Sequence, residues 1–244
     1  MVPAAVLRAL APSGVLRAGV NLSNFLLVSS TSPDGGPRGV SPDLAAALAG
    51  KLGVPFQLVT YTNPGFLADA AIKNEWDVAL LGAEPQRAAV ISFTKSYAEI
   101  EATYLVPPGS PITAIEQVDA AQNTIVAANR AAYCLWLENN IKHAALVQPE
   151  LPGVPLSRVL FEREKCDVLA GLRPWLLDQC ATMPGSKVLA GRFTSIQQAL
   201  GTPKANGDDG VDFLEDFVQE AKASGLVQSL IDKHGVTGRL TVAA

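Results

Sequence analysis

The residue best suited to bind a charged group is Arg87, which follows an apolar segment, residues 77–81, and a small-residue turn. Pro85, just before it, is typical of the first helical turn, where its missing N–H is not needed. A strand end followed by free amides at a helix start forms an anion site in α/β proteins. The guanidinium adds a permanent charge and a planar pair of donors that suit a carboxylate. We therefore predict that Arg87, with the backbone of the Gly82 turn, binds a carboxylate. The alternative is a solvated surface arginine.

Composition argues against several classes of protein. The chain has 244 residues, a net charge of -4 and 48% hydrophobic content, which suffices for one large core or two modest ones. An acidic chain without a basic run does not suit nucleic acid, and the apolar runs are too short to span a membrane. Its two histidines and three unevenly spaced cysteines match no metal, redox or triad pattern. We expect no cofactor, buried free thiols and a monomer.

Strand-like and helix-like segments alternate, which is typical of parallel sheets covered by helices. We therefore predict an α/β fold. Its first helix is expected to have Ser41 as N-cap, Pro42 at the first position and Gly53 as its stop. A second unit begins near Thr103, and residues 192–198 form an extended return. The expected strands are residues 17–20, 56–60, 77–81, 124–128, 146–148 and 167–170, and the expected helices are residues 66–74, 133–142, 156–164, 213–224 and 226–234.

The segment around Arg87 resembles a motif of the bacterial extracellular solute-binding proteins of the polar amino-acid transport type, family 3. In that family a strand leads to a small or hydroxyl turn, to Pro-x-Arg, and to an apolar-x-Phe-[Ser/Thr]-x-x-Tyr segment. The matching residues here are Gly82, Pro85-Gln86-Arg87 and residues 91–97. Residues 16–20, 38–44 and 213–235 resemble the opening strand, the start of the first helix and the closing helix pair, so the likeness covers nearly the whole chain.

The resemblance implies a two-lobed, type II periplasmic-binding-protein-like fold with a hinge and an interlobe cleft. Lobe 1 is expected to be discontinuous, formed by residues 1–102 and 195–244, and lobe 2 by residues 103–194. The implied function is capture of a small carboxylate-bearing ligand, amino-acid-like or an organic acid, for an ABC-type transporter. The implied partners are this ligand and a membrane permease, with neither nucleic-acid binding nor membrane insertion. The implied location is the periplasm. The chain lacks a signal-like start, so its export signal has been removed or the protein is cytoplasmic.

The ligand residues that the resemblance implies for lobe 1 depart from the family pattern. Asn21, Ser23 and Asn24 occupy the stretch that holds the ligand's amino group, and asparagines replace the usual acid and tyrosine. Their alternative role is to cap a loop. Gly82 and Glu84 stand where the family commonly has hydroxyl residues, so only backbone donors remain for a carboxylate there.

Lobe 2 departs in two further places. The family's Gly-Thr-Thr turn corresponds to Arg130, Ala131 and the next alanine, preceded by Asn129. A helix start here keeps its amides available, and Arg130 is either a second anion ligand or a surface residue. Where the family has an amine-binding aspartate, this chain has a glycine and a leucine followed by Arg173, which is either a ligand contact or a surface residue. Asp167, earlier in this strand, matches a structural aspartate.

These departures predict that the ligand is not a standard zwitterionic α-amino acid. A protonated amine in a partly dry site needs an acid, and both family acids are altered, to Asn21 and to the stretch containing Arg173. We expect organic acids, such as dicarboxylates or aromatic acids, to outrank lysine, arginine and histidine. A neutral-side-chain amino acid is the nearest rival, because Asn21 and Asn24 can accept hydrogen bonds from an amine.

Two other functions stay open. Cyclohexadienyl-type dehydratases share the family fold and need a carboxyl as general acid, for which the candidates are Glu84, Glu162 and Glu164. The last two lie in a charged stretch that we expect to be solvated. A sensory or intracellular binding domain is the third reading. The chain shows no pair of nucleophile and base, so we expect binding rather than catalysis.

Overall fold

Helices and strands alternate along the chain, as predicted, and form an α/β fold in the computed structural model, which describes residues 2–244. The strands are β1 Leu16–Asn21, β2 Ser30–Thr31, β3 Pro37–Arg38, β4 Phe56–Tyr61, β5 Val78–Gly82, β6 Ile91–Val106, β7 Thr124–Val126, β8 Ala145–Val147, β9 Val168–Leu172, β10 Lys187–Val188, β11 Thr194–Pro203 and β12 Thr241–Val242. The α-helices are α1 Ala4–Leu10, α2 Val40–Leu52, α3 Pro64–Asp69, α4 Ala132–Asn140, α5 Val154–Arg163, α6 Arg173–Ala181, α7 Asp209–Ala223 and α8 Leu226–Lys233. Short 3₁₀ helices are Ala70–Lys73, Arg87–Ala89, Ile115–Gln117 and Lys204–Asn206.

The chain divides into two compact units. Unit 1 is formed by the chain up to Glu99 together with Gln197–Ala244, and unit 2 is Ile100–Ile196. Strands β6 and β11 each run from one unit into the other. Unit 1 is therefore discontinuous in sequence, whereas unit 2 is one continuous segment.

Unit 1 is built around a parallel core of three strands. β1 pairs in parallel with β4 and with β5, and β11 adds an antiparallel strand beside β5. Every residue of β5 is buried, as expected for a strand covered on both faces. A side chain at Gly19 in β1 would lie 2.6 Å from Leu67 and 3.1 Å from Trp76. The missing side chain therefore lets Trp76 pack against β1.

The helices of unit 1 include the C-terminal pair. α7 packs against α1, and α8 packs against α2 and α7. The apolar stripe predicted for α7 is buried through Leu214, Phe217, Val218 and Ala221, so it belongs to the core. Helices α7 and α8, near the C-terminal end of the chain, therefore belong to the same unit as β1.

Unit 2 repeats the parallel arrangement on a smaller scale. β7 lies between β8 and β9, both parallel to it, and β9 pairs antiparallel with β6. The short strand β10 pairs with the end of β6. Helices α4 and α5 pack on β9, and the buried core includes Tyr104, Leu137 and Val168.

In each unit an aspartate at the start of a strand accepts a backbone N–H of the neighbouring parallel strand. Asp77 precedes β5, and its Oδ2 accepts the Arg17 N–H at 2.9 Å. Asp167 precedes β9, and its Oδ2 accepts the Thr124 N–H at 2.9 Å, which confirms the structural role predicted for it. The registers are equivalent, because each donor lies one residue before the partner of the first strand residue. In unit 1 the aspartate also binds a side chain: the Arg17 guanidinium donates to the Asp77 carboxylate at 2.6 and 3.1 Å.

One predicted helix start was wrong, and two helices were missed. Ser41 is not an N-cap but lies inside α2, which begins at Val40 after Gly39, and its Oγ lies 3.2 Å from the Tyr97 hydroxyl. A side chain at Gly39 would lie 2.2 Å from the Leu27 carbonyl, so the chain needs glycine at this cap. The Gly53 stop is confirmed, with a left-handed φ of 72°. Helices α1 and α6 were not predicted, and neither has a side-chain N-cap.

Candidate functional site

Arg87 lies just past the carboxyl end of β5 and is buried, with 4% of its surface exposed. Its Nη1 donates to the Gly82 carbonyl at 2.8 Å, so the side chain folds back along the strand end. Its backbone N–H donates to the Glu84 carbonyl at 2.9 Å, and Arg87 begins a three-residue 3₁₀ helix where a helix start had been predicted. Burial excludes the alternative of a solvated surface arginine.

Glu84 is a second buried charged residue at the same strand end, with 7% exposure. Within residues 2–244 its carboxylate has no hydrogen-bond partner and no ion pair. Burial raises the pKa of Glu84, while the nearby Arg87 charge lowers it in part. Tyr133 Oη and Arg158 Nε are the only unpartnered side-chain atoms fully enclosed in the described part of the chain. The Glu84 oxygens therefore stay within reach of solvent.

Asn21, Ser23 and Asn24 form the loop that follows β1 in the same unit. The Asn21 Oδ1 accepts both the backbone N–H and the hydroxyl of Ser23, at 3.0 and 2.8 Å. The Asn24 Oδ1 accepts the backbone N–H of Leu26 at 3.2 Å. A backbone N–H needs an acceptor, so these contacts fix the orientation of both amides. The oxygens serve the loop, as the capping alternative predicted, and the N–H₂ groups are the donors left for a ligand.

In unit 2 the turn before α4 is formed by Asn129, Arg130 and Ala131. The Asn129 amide donates to the carbonyls of Pro149 and Glu150, at 3.2 and 3.3 Å. Arg130 is half-buried and has a left-handed φ of 63°, which is uncommon for a residue other than glycine. Ala131 is the N-cap of α4, and its N–H binds the Ala128 carbonyl at 3.1 Å. The amide of Ala131 is therefore already used, and the open amides of this helix start come after it.

Arg173 begins α6 and has strong protein partners within unit 2. Its Nε donates to Glu101 at 2.6 Å, and its two Nη groups donate to the carbonyls of Leu189 and Gly191. Glu101 also binds Arg192 at 3.0 Å. The bond from Arg173 is the main cause that lowers the pKa of Glu101. The structure thus gives Arg173 a structural role, and its role as a ligand contact stays a prediction.

The two other candidate acids are solvated, as expected. Glu162 pairs with Arg158 and Glu164 with Arg163, and both glutamates are 54% exposed. Among residues 2–244 no cluster of histidine, cysteine, aspartate or glutamate could hold a metal ion. The three cysteines are free thiols, and burial raises the pKa of Cys134 to about 12, so this thiol is unreactive. No helix in the described chain is long and apolar enough to cross a membrane.

The predicted site residues fall into two groups. Unit 1 holds the strand-end residues Gly82 and Arg87 and the loop residues Asn21, Ser23 and Asn24. Unit 2 holds Asn129, Arg130, Ala131 and Arg173. Sequence reasoning treated Glu84 only as a lost hydroxyl and a candidate catalyst. Its position between a fully apolar strand and a proline was the signal that it would be buried.

Comparison with known proteins identifies the family. The family model described as bacterial extracellular solute-binding proteins, family 3, matches residues 16–237. The chain belongs to this family. A comparison with curated protein sequences gave no match.

Solved structures of other solute-binding proteins share its fold. The solute receptor for L-cysteine of Neisseria gonorrhoeae has a TM-score of 0.77 at 17% identity, covering 98% of this chain and 100% of the receptor. The amino acid ABC transporter substrate-binding protein AbpA of Streptococcus pneumoniae, bound to L-arginine, has a TM-score of 0.74 at 17% identity, covering 93% and 97%. The ancestral amino acid-binding protein AncCDT-1, a precursor of cyclohexadienyl dehydratase, has a TM-score of 0.71 at 19% identity, covering 93% and 98%. At these identities the likeness establishes the type II periplasmic-binding-protein-like fold of this solute-binding protein, and not its ligand.

Proposed function

We propose that this solute-binding protein captures a small carboxylate-bearing ligand, amino-acid-like or an organic acid, and presents it to an ABC-type membrane transporter. The observation that carries the proposal is the buried guanidinium of Arg87 at the carboxyl end of β5. A permanent charge in a partly dry site binds an anion strongly, and a planar fork suits a carboxylate. The N–H₂ groups of Asn21 and Asn24 add neutral donors in the same unit.

The solved relatives support this class of ligand. The Streptococcus pneumoniae protein is bound to L-arginine, and the Neisseria gonorrhoeae receptor is one for L-cysteine. These two amino acids differ in the side chain and share the α-carboxylate. A residue that binds the carboxylate is therefore the part of the site that we expect to be common to them and to this chain, and Arg87 is our candidate.

The test is ligand binding by the wild-type protein and two Arg87 variants. A ligand present at a hundred times its dissociation constant stabilises the protein by about 2.7 kcal/mol, so a thermal-shift screen of amino acids and organic acids detects it. Arg87→Ala should weaken binding of every such acid by about 2–5 kcal/mol, measured by calorimetry. Arg87→Lys keeps the charge but loses the planar pair of donors. Its affinity should lie between those of the wild type and Arg87→Ala.

The matched control is Arg38→Ala, because Arg38 is an exposed arginine of the same unit. It should bind as the wild type does. Binding by folded Arg87→Ala within threefold of the wild type contradicts the assignment.

A second candidate function, dehydratase activity, is favoured by one observation. Glu84 is buried and its pKa is raised, which a general acid requires. The relative AncCDT-1 is a precursor of a cyclohexadienyl dehydratase. Incubation with prephenate-like acids distinguishes the two functions: binding without product supports capture, and product that disappears in Glu84→Gln supports the enzyme.

Presentation to a transporter requires the protein to lie outside the cytoplasmic membrane. The family is extracellular by its description. We propose a periplasmic location, which cell fractionation of the native organism tests. Recovery of the protein only with the cytoplasm supports the sensory or intracellular reading instead.

A further inference from the structure

We infer that Glu84 is a specificity-determining ligand residue, which selects acids that carry a hydrogen-bond donor, an ammonium or a hydroxyl, on the carbon next to the carboxylate bound by Arg87. The inference rests on the proposed function, because it takes Arg87 as the carboxylate site. It adds a second contact to the same ligand and a ranking among acids that Arg87 alone does not give.

The first observation is that the Glu84 carboxylate is buried and has no partner within residues 2–244. Buried charges in proteins are normally paired, because an unpaired charge out of water is costly. Asp77 and Glu84 are the two buried carboxylates of the described chain. Asp77 is fully used by Arg17, which binds both of its oxygens. Glu84 has no partner within residues 2–244, and its oxygens are not sealed off. A partner from outside the chain can therefore reach it.

The second observation is the position of Glu84 relative to Arg87. The Arg87 N–H binds the Glu84 carbonyl, so the two residues start and end one tight turn. The Arg87 charge acts on Glu84, yet the two side chains form no ion pair. The Arg87 guanidinium and the Glu84 carboxylate lie near each other without forming an ion pair with each other. They suit a ligand that has a carboxylate on one carbon and a positive or hydrogen-bond-donating group on the next. An α-amino acid has this arrangement, and an α-hydroxy acid has its neutral equivalent.

The third observation is that the side-chain amide oxygens of the β1 loop are already used. The Asn21 Oδ1 accepts two hydrogen bonds from Ser23 and is saturated. The Asn24 Oδ1 is turned to Leu26. These amides offer donors, which suit a carboxylate and not an ammonium. We therefore assign the donor of such a ligand to the Glu84 carboxylate and not to these two amides.

This inference changes the expectation drawn from the sequence. That expectation looked for an acid at two places, now Asn21 and the stretch containing Arg173, and found none. Glu84 supplies the negative charge from a third place, the turn after β5. Acids with an α-ammonium are therefore expected to bind more tightly than the same acids without it.

The experiment uses the standard L-amino acids, each measured beside its α-hydroxy acid and its des-amino acid. The three members of a set share the carboxylate and the side chain and differ in one α-substituent. For the set that binds best, the wild type should prefer the amine over the des-amino acid by about tenfold or more, with the hydroxy acid between them. Glu84→Gln keeps the shape without the charge, and should reduce this ratio to about threefold or less. Glu116→Gln, at an exposed position of unit 2, is the matched control and should leave the ratio unchanged.

Each outcome is decisive. An unchanged ratio in Glu84→Gln overturns the inference, and the proposed function survives if Arg87→Ala weakens all three acids. A wild type that prefers the des-amino acid overturns the inference in the same way. If no acid in any set stabilises the protein at millimolar concentration, both proposals fail. A ratio that collapses only in Glu84→Gln, while Arg87→Ala weakens the three acids equally, supports both.

Discussion

The ends of β5 and β9 are built alike and differ in chemistry. Each strand follows an aspartate that binds the neighbouring parallel strand, and each is followed by an arginine beside or near a proline. After β5, Arg87 is buried next to Glu84, an acid without a partner. After β9, Arg173 is bound by Glu101 and by two backbone carbonyls. At the first end the acid, Glu84, is left without a partner within residues 2–244, and at the second end the protein itself neutralises Arg173.

The difference shows that the partner of an arginine decides its role more than the local sequence does. Glu101 comes from β6, and the carbonyls of Leu189 and Gly191 come from the stretch around β10. None of these is close to Arg173 in sequence. At β5 the carboxylate of Glu84, three residues before Arg87, forms no ion pair with it. Four substitutions test this contrast through protein stability, since ligand binding is tested separately.

The largest expected effect separates the two aspartates. Asp77→Asn should lower the free energy of unfolding by about 2–3 kcal/mol, because it removes a charged partner from Arg17 in a buried position. Asp167→Asn should cost only about 1 kcal/mol, because its bond is to a backbone N–H. Urea unfolding at neutral pH measures both. Equal losses would show that the Arg17 side chain adds nothing to the first unit.

The second effect concerns Glu84, where we expect the substitution to increase the stability of the protein at pH 7. Its pKa is raised above 4.5 in the folded protein by burial, so the neutral form is favoured by folding. Its contribution is most favourable below pH 4.5 and is lost as the pH rises through the raised pKa. Glu84→Gln, which has no charge, should match the wild type near pH 4 and exceed its stability at pH 7 by on the order of 1 kcal/mol. Urea unfolding at both pH values is the measurement, and a loss of stability at pH 7 means that a partner in the protein holds the carboxylate.

The smallest effect, at Glu101, has the opposite sign. The bonds from Arg173 and Arg192 lower its pKa below 4.5, so its contribution is present above that pH and is lost as the pH falls through the lowered pKa. Glu101→Gln should be less stable than the wild type at pH 7, and equal to it in acid. The loss should stay below about 1 kcal/mol, because Glu101 is 42% exposed and solvent screens the pair. If both glutamine variants shift stability in the same direction at pH 7, the contrast between the two strand ends is wrong.

Local patterns predicted much of the fold and part of the site. The strand before Arg87, the Gly53 stop and the loop-capping alternative for Asn21 and Asn24 all depend on residues within a few positions of one another. Those features were readable from the sequence. The burial of Glu84 was missed although its position between an apolar strand and a proline indicated it, because its cause is the packing around the whole strand end.

Long-range contacts account for most of what sequence reasoning missed. The hydroxyl of Ser41 lies beside Tyr97, more than fifty residues away, and so it does not cap its helix. The partners of Arg173 lie 16, 18 and 72 residues away. Helix α6 itself begins without a polar cap, and its start is marked by Pro174 alone. No local signal identifies partners that tertiary structure brings together.

The position of β11 beside β5 has a consequence for biosynthesis. The ribosome releases β1, β4 and β5 early, but β11, α7 and α8 emerge only after all of unit 2. Unit 2 is continuous and can fold as soon as it leaves the exit tunnel, whereas the nascent first unit must wait with an open edge at β5. An exposed apolar edge of this kind invites misfolding and aggregation. We therefore expect chaperone dependence during synthesis to be concentrated in the first hundred residues, although they are made first.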